Sequence, residues 1–306
     1  MSAIGRRPSS GVSMDEPLLS PDFLRRLEAL ELVSRKARAG RMKGDRLSRR
    51  KGSGSEFADF RPYTHGDDLR FLDWSLYARL DRVFLRLFLE EEDLHVYLLV
   101  DVSGSMAFGA PSKRLYAQRV VAALGFIGLV NLDRVSVIGY TDKPVARSAV
   151  LRSRASLPRL LGFVGGLPEG GVGDFNRAIR SVAPTLTGRG VVIVVSDFLD
   201  KGGVAEGLRY LAARNLDVCA IQILAPEDVE PGLTGDLKLT DIEDGDETEV
   251  TLTPYLLNRY RSAVAAFRAD LHDQWTRRGM TFLTTTTAVP FDRLVLNVLR
   301  ARGLVR

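Results

Sequence analysis

From residue 94 onward, short apolar segments alternate with longer segments of helical periodicity. The short segments are almost continuously apolar and cover residues 96–100, 135–140, 191–195 and 218–224. Strands with this pattern are usually covered on both faces, as in parallel sheets. The helical segments cover residues 113–130, 156–164, 175–182 and 204–214. The alternation predicts an α/β fold, with a doubly wound, mostly parallel sheet and helical crossovers between its strands.

The region before this alternation has a different character. We predict a disordered terminus (1–17), followed by a region (18–93) that begins with a helix capped at Ser20-Pro21. A basic linker follows the helix, and then a block that is dense in charged and aromatic residues. We expect this block to consist of loops and turns that end in a strand at about residues 83–89.

The α/β domain itself is predicted to extend over residues 94–306. After its fourth apolar segment, an acidic stretch around Asp244-Gly245 predicts an inserted hairpin at about 236–252. Thr253-Pro254 then predicts the start of a long helix, and a last strand at 280–285 and a closing helix at 291–299 complete the domain.

Composition narrows the class of protein. The chain of 306 residues has one cysteine, Cys219, which excludes a disulfide framework and fits a reducing compartment. The longest apolar run, 120–130, is too short for a membrane span, and the polar N-terminus lacks a secretory signal, so we expect a cytoplasmic protein. The net charge of +5 comes from the segment 35–51, with nine Lys or Arg. This segment lacks interleaved aromatics, so nucleic-acid binding is not favoured.

Polar side chains follow two of the predicted strands directly. Asp101 ends the first strand and is followed by Ser103 and Ser105, and Asp197 ends the third strand. Open α/β sheets bind ligands beyond the carboxyl ends of their strands, so we expect these residues to lie close together. Carboxylates and hydroxyls are oxygen ligands of the kind that Mg²⁺ and Mn²⁺ prefer. The sequence therefore predicts a divalent metal site at this edge.

Two sets of residues also carry a family resemblance. The motif Asp101-Val-Ser103-Gly-Ser105 resembles the metal-ion-dependent adhesion site of von Willebrand factor A-type domains. A second block resembles the bacterial domain-of-unknown-function-58 (DUF58) family, and this resemblance extends over roughly residues 20–300. The block comprises Gly54-Ser55-Glu56-Phe57, Arg61-Pro62-Tyr63, Gly66-Asp67-Asp68-Leu69-Arg70, Asp73-Trp74 and Ala78-Arg79.

The resemblance implies a ligand set for the metal. Ser103 and Ser105 would bind the ion directly, while Asp101 and Asp197 would act through water. A threonine from a middle loop normally adds a ligand, but that position here is Gly173, or Val172 if the alignment shifts by one residue. Asp174 is the candidate substitute.

The resemblance also implies a function. A carboxylate from a partner protein would complete the coordination of the ion, in a non-enzymatic interaction module. Members of the family are often encoded beside MoxR-type AAA+ ATPases, which suggests an adaptor for such an ATPase.

Two alternatives remain open at this point. The first is a metal-independent scaffold that binds through the surface 54–79, with candidate contacts at Arg61, Asp67, Asp68, Arg70, Asp73 and Trp74. The second is a Mg²⁺-dependent phosphoryl-transfer enzyme. Catalysis is disfavoured because the chain contains no Gly-rich nucleotide loop, no nucleophile elbow and no histidine pair with zinc spacing.

Overall fold

The computed structural model describes most of the chain in several segments. They are residues 17–30, 32, 56–65, 67–89, 94–231, 235–240, 247–298, 300 and 305. The predicted disordered terminus up to residue 16, the basic segment 35–51 and the tip of the acidic hairpin lie outside the described residues. The chain divides into two compact units: Met1–Lys36 with Leu94–Arg306, and Ala37–Asp93.

Strands and helices alternate through the larger unit. In chain order the strands of the protein are β1 (Glu56–Pro62), β2 (Phe84–Leu89), β3 (His95–Asp101), β4 (Arg134–Tyr140), β5 (Pro144–Arg147), β6 (Gly190–Ser196), β7 (Asp217–Leu224), β8 (Gly235–Thr240), β9 (Glu247–Leu252) and β10 (Thr281–Thr286). The helices are α1 (Pro21–Leu27), α2 (Trp74–Leu80), α3 (Lys113–Val130), α4 (Leu157–Gly165), α5 (Phe175–Val182), α6 (Ala205–Ala212), α7 (Pro226–Val229), α8 (Pro254–Thr276) and α9 (Phe291–Arg293), which continues as a π-helix (Leu294–Val298).

The larger unit is built on a six-stranded sheet in the order β10-β7-β6-β3-β4-β5. The first five strands of this order are parallel, and β5 pairs antiparallel with β4 at the edge. Because the chain leaves β3 to form β4 on one side and later β6 on the other, the winding reverses beside β3. Ligands of doubly wound sheets bind in the crevice at such a reversal.

The two faces of the sheet are covered by separate apolar clusters, which explains the continuous apolar strands. In β3, Val96, Leu98 and Val100 face the cluster that contains α3. The intervening Tyr97 and Leu99 face the cluster that contains residues of α5, α6 and α8. Successive side chains of a strand point to opposite faces, so a strand between two helical layers needs apolar residues at consecutive positions.

The predicted fold class is confirmed, since the sheet is mostly parallel and flanked by helices. The helices 113–130 and 175–182 have the predicted bounds, and the two strands of the inserted hairpin are present as β8 and β9. The predicted closing helix 291–299 is instead the short α9 followed by the π-helix. The prediction did not include β5, a four-residue edge strand whose side chains are mostly exposed.

The charged block differs more from the prediction. The expectation of loops and turns was wrong in two places, because β1 pairs with β2 and α2 lies between them in the chain. Asp73 caps α2 by accepting from Leu76 N at 2.9 Å, a local signal for a helix start. The structure also groups α1 with the sheet, whereas the sequence analysis groups that helix with the charged block.

Candidate functional site

The carboxyl edge of the sheet brings together residues from three adjacent strands. Asp101 ends β3, Tyr140 ends β4, and Ser196 ends β6 and is followed by Asp197. Ser196 Oγ donates to Asp101 Oδ2 at 2.7 Å, so a hydrogen bond links the ends of two strands. Asp101 and Asp197, which are far apart in the sequence, are therefore neighbours, as the topology of a doubly wound sheet requires.

Asp101 organises the two serine hydroxyls that follow it. Its Oδ1 accepts from Ser103 N at 2.9 Å and from Ser103 Oγ at 2.6 Å. Ser105 Oγ lies 3.1 Å from Ser103 Oγ. A hydroxyl has one proton and two lone pairs, so a Ser103 that donates to Asp101 keeps its lone pairs for another ligand. The spacing of the motif thus produces two adjacent hydroxyl oxygens at the edge of the sheet.

Burial of Asp101 makes its charge costly. Desolvation and the neighbouring charge of Asp197 raise the pKa of Asp101 from 3.8 to about 6, although hydrogen bonds from Ser103 and Ser196 act in the opposite direction. A carboxyl whose pKa is raised on folding stabilises the fold below its unfolded pKa, and this contribution is lost as the pH rises through the folded pKa.

A pH prediction follows from this shift. Wild type should lose up to about 3 kcal/mol of stability relative to Asp101→Asn between about pH 4 and pH 7, because only the wild type must bury the ionised carboxylate. Urea unfolding of both proteins at the two pH values, with a chelator present, measures the difference. A difference in stability between the two proteins that does not change with pH would contradict the raised pKa of Asp101.

Lys113 contributes a buried positive charge to the same edge. It is the first residue of α3, its side chain is 2% exposed, and its Nζ lies 2.6 Å from Asp197 Oδ2 and 3.1 Å from Asp228 Oδ2. Burial lowers the pKa of Lys113, but the charges and hydrogen bonds of the two aspartates outweigh burial and raise it above its usual value. The sequence gives no signal for Lys113, because the first residue of a helix is usually solvated.

The middle loop approaches the hydroxyls through Gly173. A Cβ placed on Gly173 would lie 3.4 Å from Ser103 Oγ, so this residue does lie beside the proposed ligands. The carboxylate of Asp174 caps α5, where its Oδ1 accepts from Arg177 N at 2.9 Å. Asp200, in the loop after β6, also approaches Gly173. The sequence analysis did not single out Asp200, whose position depends on the course of that loop.

Tyr140 adds a buried hydroxyl to the carboxylates. Its side chain is 1% exposed, and within the described part of the chain its hydroxyl makes no hydrogen bond of acceptable geometry. Burial, followed by the charges of Asp101 and Asp200, raises the pKa of Tyr140 well above its usual value, while Ser196 acts in the opposite direction. The hydroxyl is therefore close enough to these carboxylates for their negative charges to oppose its ionisation.

The donor set suits a hard cation, with one restriction. The serine hydroxyls and the aspartate carboxylates are oxygen ligands of the type that Mg²⁺ and Mn²⁺ prefer. Among the residues that the structure describes, however, no three Asp, Glu, His or Cys side chains are grouped so that they could hold a metal ion. An ion at this edge would therefore have to be bound by Ser103 and Ser105 as well as by carboxylates.

The smaller unit carries the other candidate surface. Three predicted contact residues, Asp67, Asp68 and Asp73, accept hydrogen bonds from nearby backbone N–H groups and also pair with Arg61, Arg70 and Arg86, respectively. In each pair the arginine side chain is more exposed than the aspartate.

These contacts lower the pKa values of two of the aspartates, Asp67 and Asp73. Hydrogen bonds from Thr64 and then Arg61 lower the pKa of Asp67 to about 2, and the hydrogen bond from Arg86 lowers the pKa of Asp73. Asp68 and Asp73 thus cap short helices, and Asp67 holds the turn at Thr64, while the sixth predicted contact, Trp74, is 67% exposed.

Comparison with known proteins identifies the family. The fold and the polar edge define an α/β protein with a candidate site at the reversal of its winding. The sequence matches the family described as "Protein of unknown function DUF58" over residues 59–270. It is 32% identical over 256 residues to the uncharacterized protein Rv1480 of Mycobacterium tuberculosis, which covers 82% of this chain and 80% of that protein. The chain therefore belongs to the DUF58 family.

Other similarities are shorter or more distant. The chain is 35% identical over 138 residues to the uncharacterized protein MAV169 of Mycobacterium avium, covering 45% of this chain and 77% of that protein. Among solved structures, it is similar to the conserved hypothetical protein BatB from Bacteroides thetaiotaomicron (15% identity, TM-score 0.42, 66% of this chain and 95% of that one). It is also similar to an aerotolerance-related membrane protein from Bacteroides fragilis (16% identity, TM-score 0.45, 68% of this chain and 99% of that one). Within the described residues, no helix has both the length and the apolar character that a membrane crossing needs.

Proposed function

We propose that this protein is a non-enzymatic interaction module that binds Mg²⁺ or Mn²⁺ at the carboxyl edge of its sheet and, through that ion, a carboxylate of a partner protein. The observation that carries the proposal is the pair of hydroxyls of Ser103 and Ser105, 3.1 Å apart and organised by Asp101. Both hydroxyls would bind the ion directly, and Asp101 and Asp197 would act through water. This arrangement resembles the metal-ion-dependent adhesion site of von Willebrand A-type domains.

The surroundings of the hydroxyls support a protein partner. Phe108, Val172 and Leu199 come from three different loops at this edge of the sheet, and each is between 44% and 53% exposed. Large apolar side chains that are exposed together around a polar centre are typical of protein interfaces. A partner segment that offers an Asp or Glu to the ion would cover these side chains with its flanking residues.

The proposed partner is a MoxR-type AAA+ ATPase in the cytoplasm. The basis is the family resemblance, since members are often encoded beside such ATPases. The chain would then act as an adaptor that presents the ion to an acidic residue of the ATPase or of its client.

The metal site is tested by titrating Mn²⁺ and Mg²⁺ into the purified protein in a calorimeter. We expect saturable binding of one ion per chain, and about a ten- to hundredfold loss of affinity in both Ser103→Ala and Ser105→Ala. Ser181→Ala is the matched control, because Ser181 is an exposed serine whose hydroxyl donates to the carbonyl of Arg177 in its own helix. Binding that is equally strong in all four proteins would refute the site.

A second candidate function is favoured by the exposed side of α2. Trp74, Tyr77 and Leu80 are exposed on this helix. The side chains of Arg70 and Arg86 are more exposed than those of the aspartates with which they pair. This surface could bind the same ATPase without a metal. Binding to the ATPase, measured with and without a chelator, separates the two functions. Loss of binding in Ser103→Ala and in chelator supports the metal site, whereas loss only in Trp74→Ala supports the surface of α2.

A further inference from the structure

The carboxylate of Asp200 lies where a side chain on Gly173 would lie. A Cβ on Gly173 would be only 2.7 Å from Asp200 Oδ1, a separation too short for atoms that are not bonded. The same Cβ would be 3.4 Å from Ser103 Oγ. The lack of a side chain at position 173 therefore leaves a space that is bordered by the Ser103 hydroxyl and by an oxygen of Asp200.

Several contacts hold Asp200 in this position. Its Oδ2 accepts from Phe175 N, at the start of α5, at 3.1 Å. The loop that carries Asp200 is attached to the same helix, because Asn176 Nδ2 donates to the carbonyls of Gly202 and Gly203 at 3.0 Å. Leu199 N also donates to Asp197 Oδ1 at 3.2 Å. The position of the carboxylate is thus determined by the fold and not by the rotamer of an exposed side chain.

The buried hydroxyl of Tyr140 is an independent sign that this cluster holds a ligand. A buried donor without an acceptor costs roughly 1–3 kcal/mol, and folded proteins usually satisfy such groups. No described residue accepts a hydrogen bond of suitable geometry from this hydroxyl, although the Ser196 hydroxyl and the charges of Asp101, Asp200 and Asp197 are close enough to shift its pKa. A water molecule bound to the ion proposed at Ser103 and Ser105 would satisfy it.

We infer that Asp200 supplies a carboxylate oxygen to the cation bound by Ser103 and Ser105, in the place that the middle loop leaves open at Gly173. This inference rests on the proposed function and names a ligand that the resemblance does not imply. A carboxylate is a charged ligand, whereas a threonine hydroxyl is neutral, so this exchange raises the affinity of the chain for the ion alone.

If Asp200 is a ligand of the ion, a hydroxyl at position 173 should be able to replace its carboxylate. Asp200→Ala and Asp200→Asn should each weaken Mn²⁺ binding about ten- to hundredfold in a calorimetric titration. Asp200→Asn keeps an oxygen acceptor for Phe175 N, so it separates the lost charge from a disturbed loop. Adding Gly173→Thr to Asp200→Ala should restore most of the affinity, because the truncated residue 200 leaves room for a hydroxyl beside Ser103.

Asp142→Asn should bind Mn²⁺ like wild type, because Asp142 lies in the loop after β4 and pairs with Arg177. Wild-type affinity in both Asp200 variants would overturn this inference and leave the proposed function intact. If Gly173→Thr combined with Asp200→Ala binds Mn²⁺ as weakly as Asp200→Ala alone, a hydroxyl at position 173 does not replace the carboxylate of Asp200. Absence of Mn²⁺ binding in the wild type would refute the proposed function, and this inference with it.

Discussion

Replacing Lys113 by Met is expected to lower the free energy of unfolding by about 3–5 kcal/mol. Methionine has a similar length but no charge, so the variant leaves the buried carboxylate of Asp197 without the ammonium that lies 2.6 Å from it. Asp228 loses the same partner. Removal of one member of a buried ion pair is costly because the remaining charge stays desolvated. Urea unfolding at neutral pH measures the loss.

Two further variants determine whether the charge is responsible. Lys143→Met removes an exposed lysine and should change stability by less than about 0.5 kcal/mol. Combining Lys113→Met with Asp197→Asn should recover part of the loss, because residue 197 then has no charge to leave unpaired, while Asp228 keeps its charge. If the double variant is no more stable than Lys113→Met, the unpaired charge of Asp197 is not the cause of the lost stability.

Lys113 also has a consequence for the proposed ion. Its ammonium is a fixed positive charge next to Asp197, so it opposes a second cation at the same edge. Lys113→Met should therefore bind Mn²⁺ more tightly than wild type under conditions in which both proteins are folded. Weaker binding would show that Lys113 instead holds Asp197 in the position that the ion requires.

The pattern of apolar residues was sufficient to predict the sheet. Strands covered on both faces need apolar residues at consecutive positions, and this requirement is visible in the segments that became β3, β4, β6 and β7. Their carboxyl ends meet at one edge. The sequence alone was therefore enough to predict that the polar residues after β3 and β6 lie close together, namely Asp101, Ser103, Ser105 and Asp197. The edge strand β5 lacks this signal, because it is only four residues long and its side chains are mostly exposed.

The rest of the site depends on the course of loops, which a local pattern does not encode. Lys113 meets Asp197 only because α3 begins beside the end of β6. Asp200 meets Gly173 because the loop after β6 is bonded to the start of α5. The charged block was misjudged for a different reason: Asp68 and Asp73 were predicted as candidate partner contacts within loops and turns, although each caps a short helix. Attention to capping would have located these helices.

Replacing Trp275 by Ala is expected to lower the free energy of unfolding by about 3–5 kcal/mol and to weaken the proposed ion site. Trp275 is fully buried on α8, and its ring lies 6.0 Å from that of Phe175, 5.5 Å from that of Phe198 and 5.9 Å from that of Phe282. Phe175 follows Asp174 directly, and Phe198 follows Asp197. The tryptophan therefore supports the two chain segments that carry Asp174 and Asp197.

Urea unfolding together with Mn²⁺ titration at low temperature measures both effects. Trp275→Phe is the matched control, because within the described residues the indole Nε1 makes no hydrogen bond that phenylalanine would lose. This variant keeps an aromatic ring against Phe198, so it should lose less stability and retain more Mn²⁺ affinity than the alanine variant. Wild-type Mn²⁺ affinity in a folded Trp275→Ala protein would show that the loops keep their positions without the aromatic cluster. In that case the hydrogen bonds that join Asp200 and Asn176 to neighbouring backbone would be sufficient to hold the site.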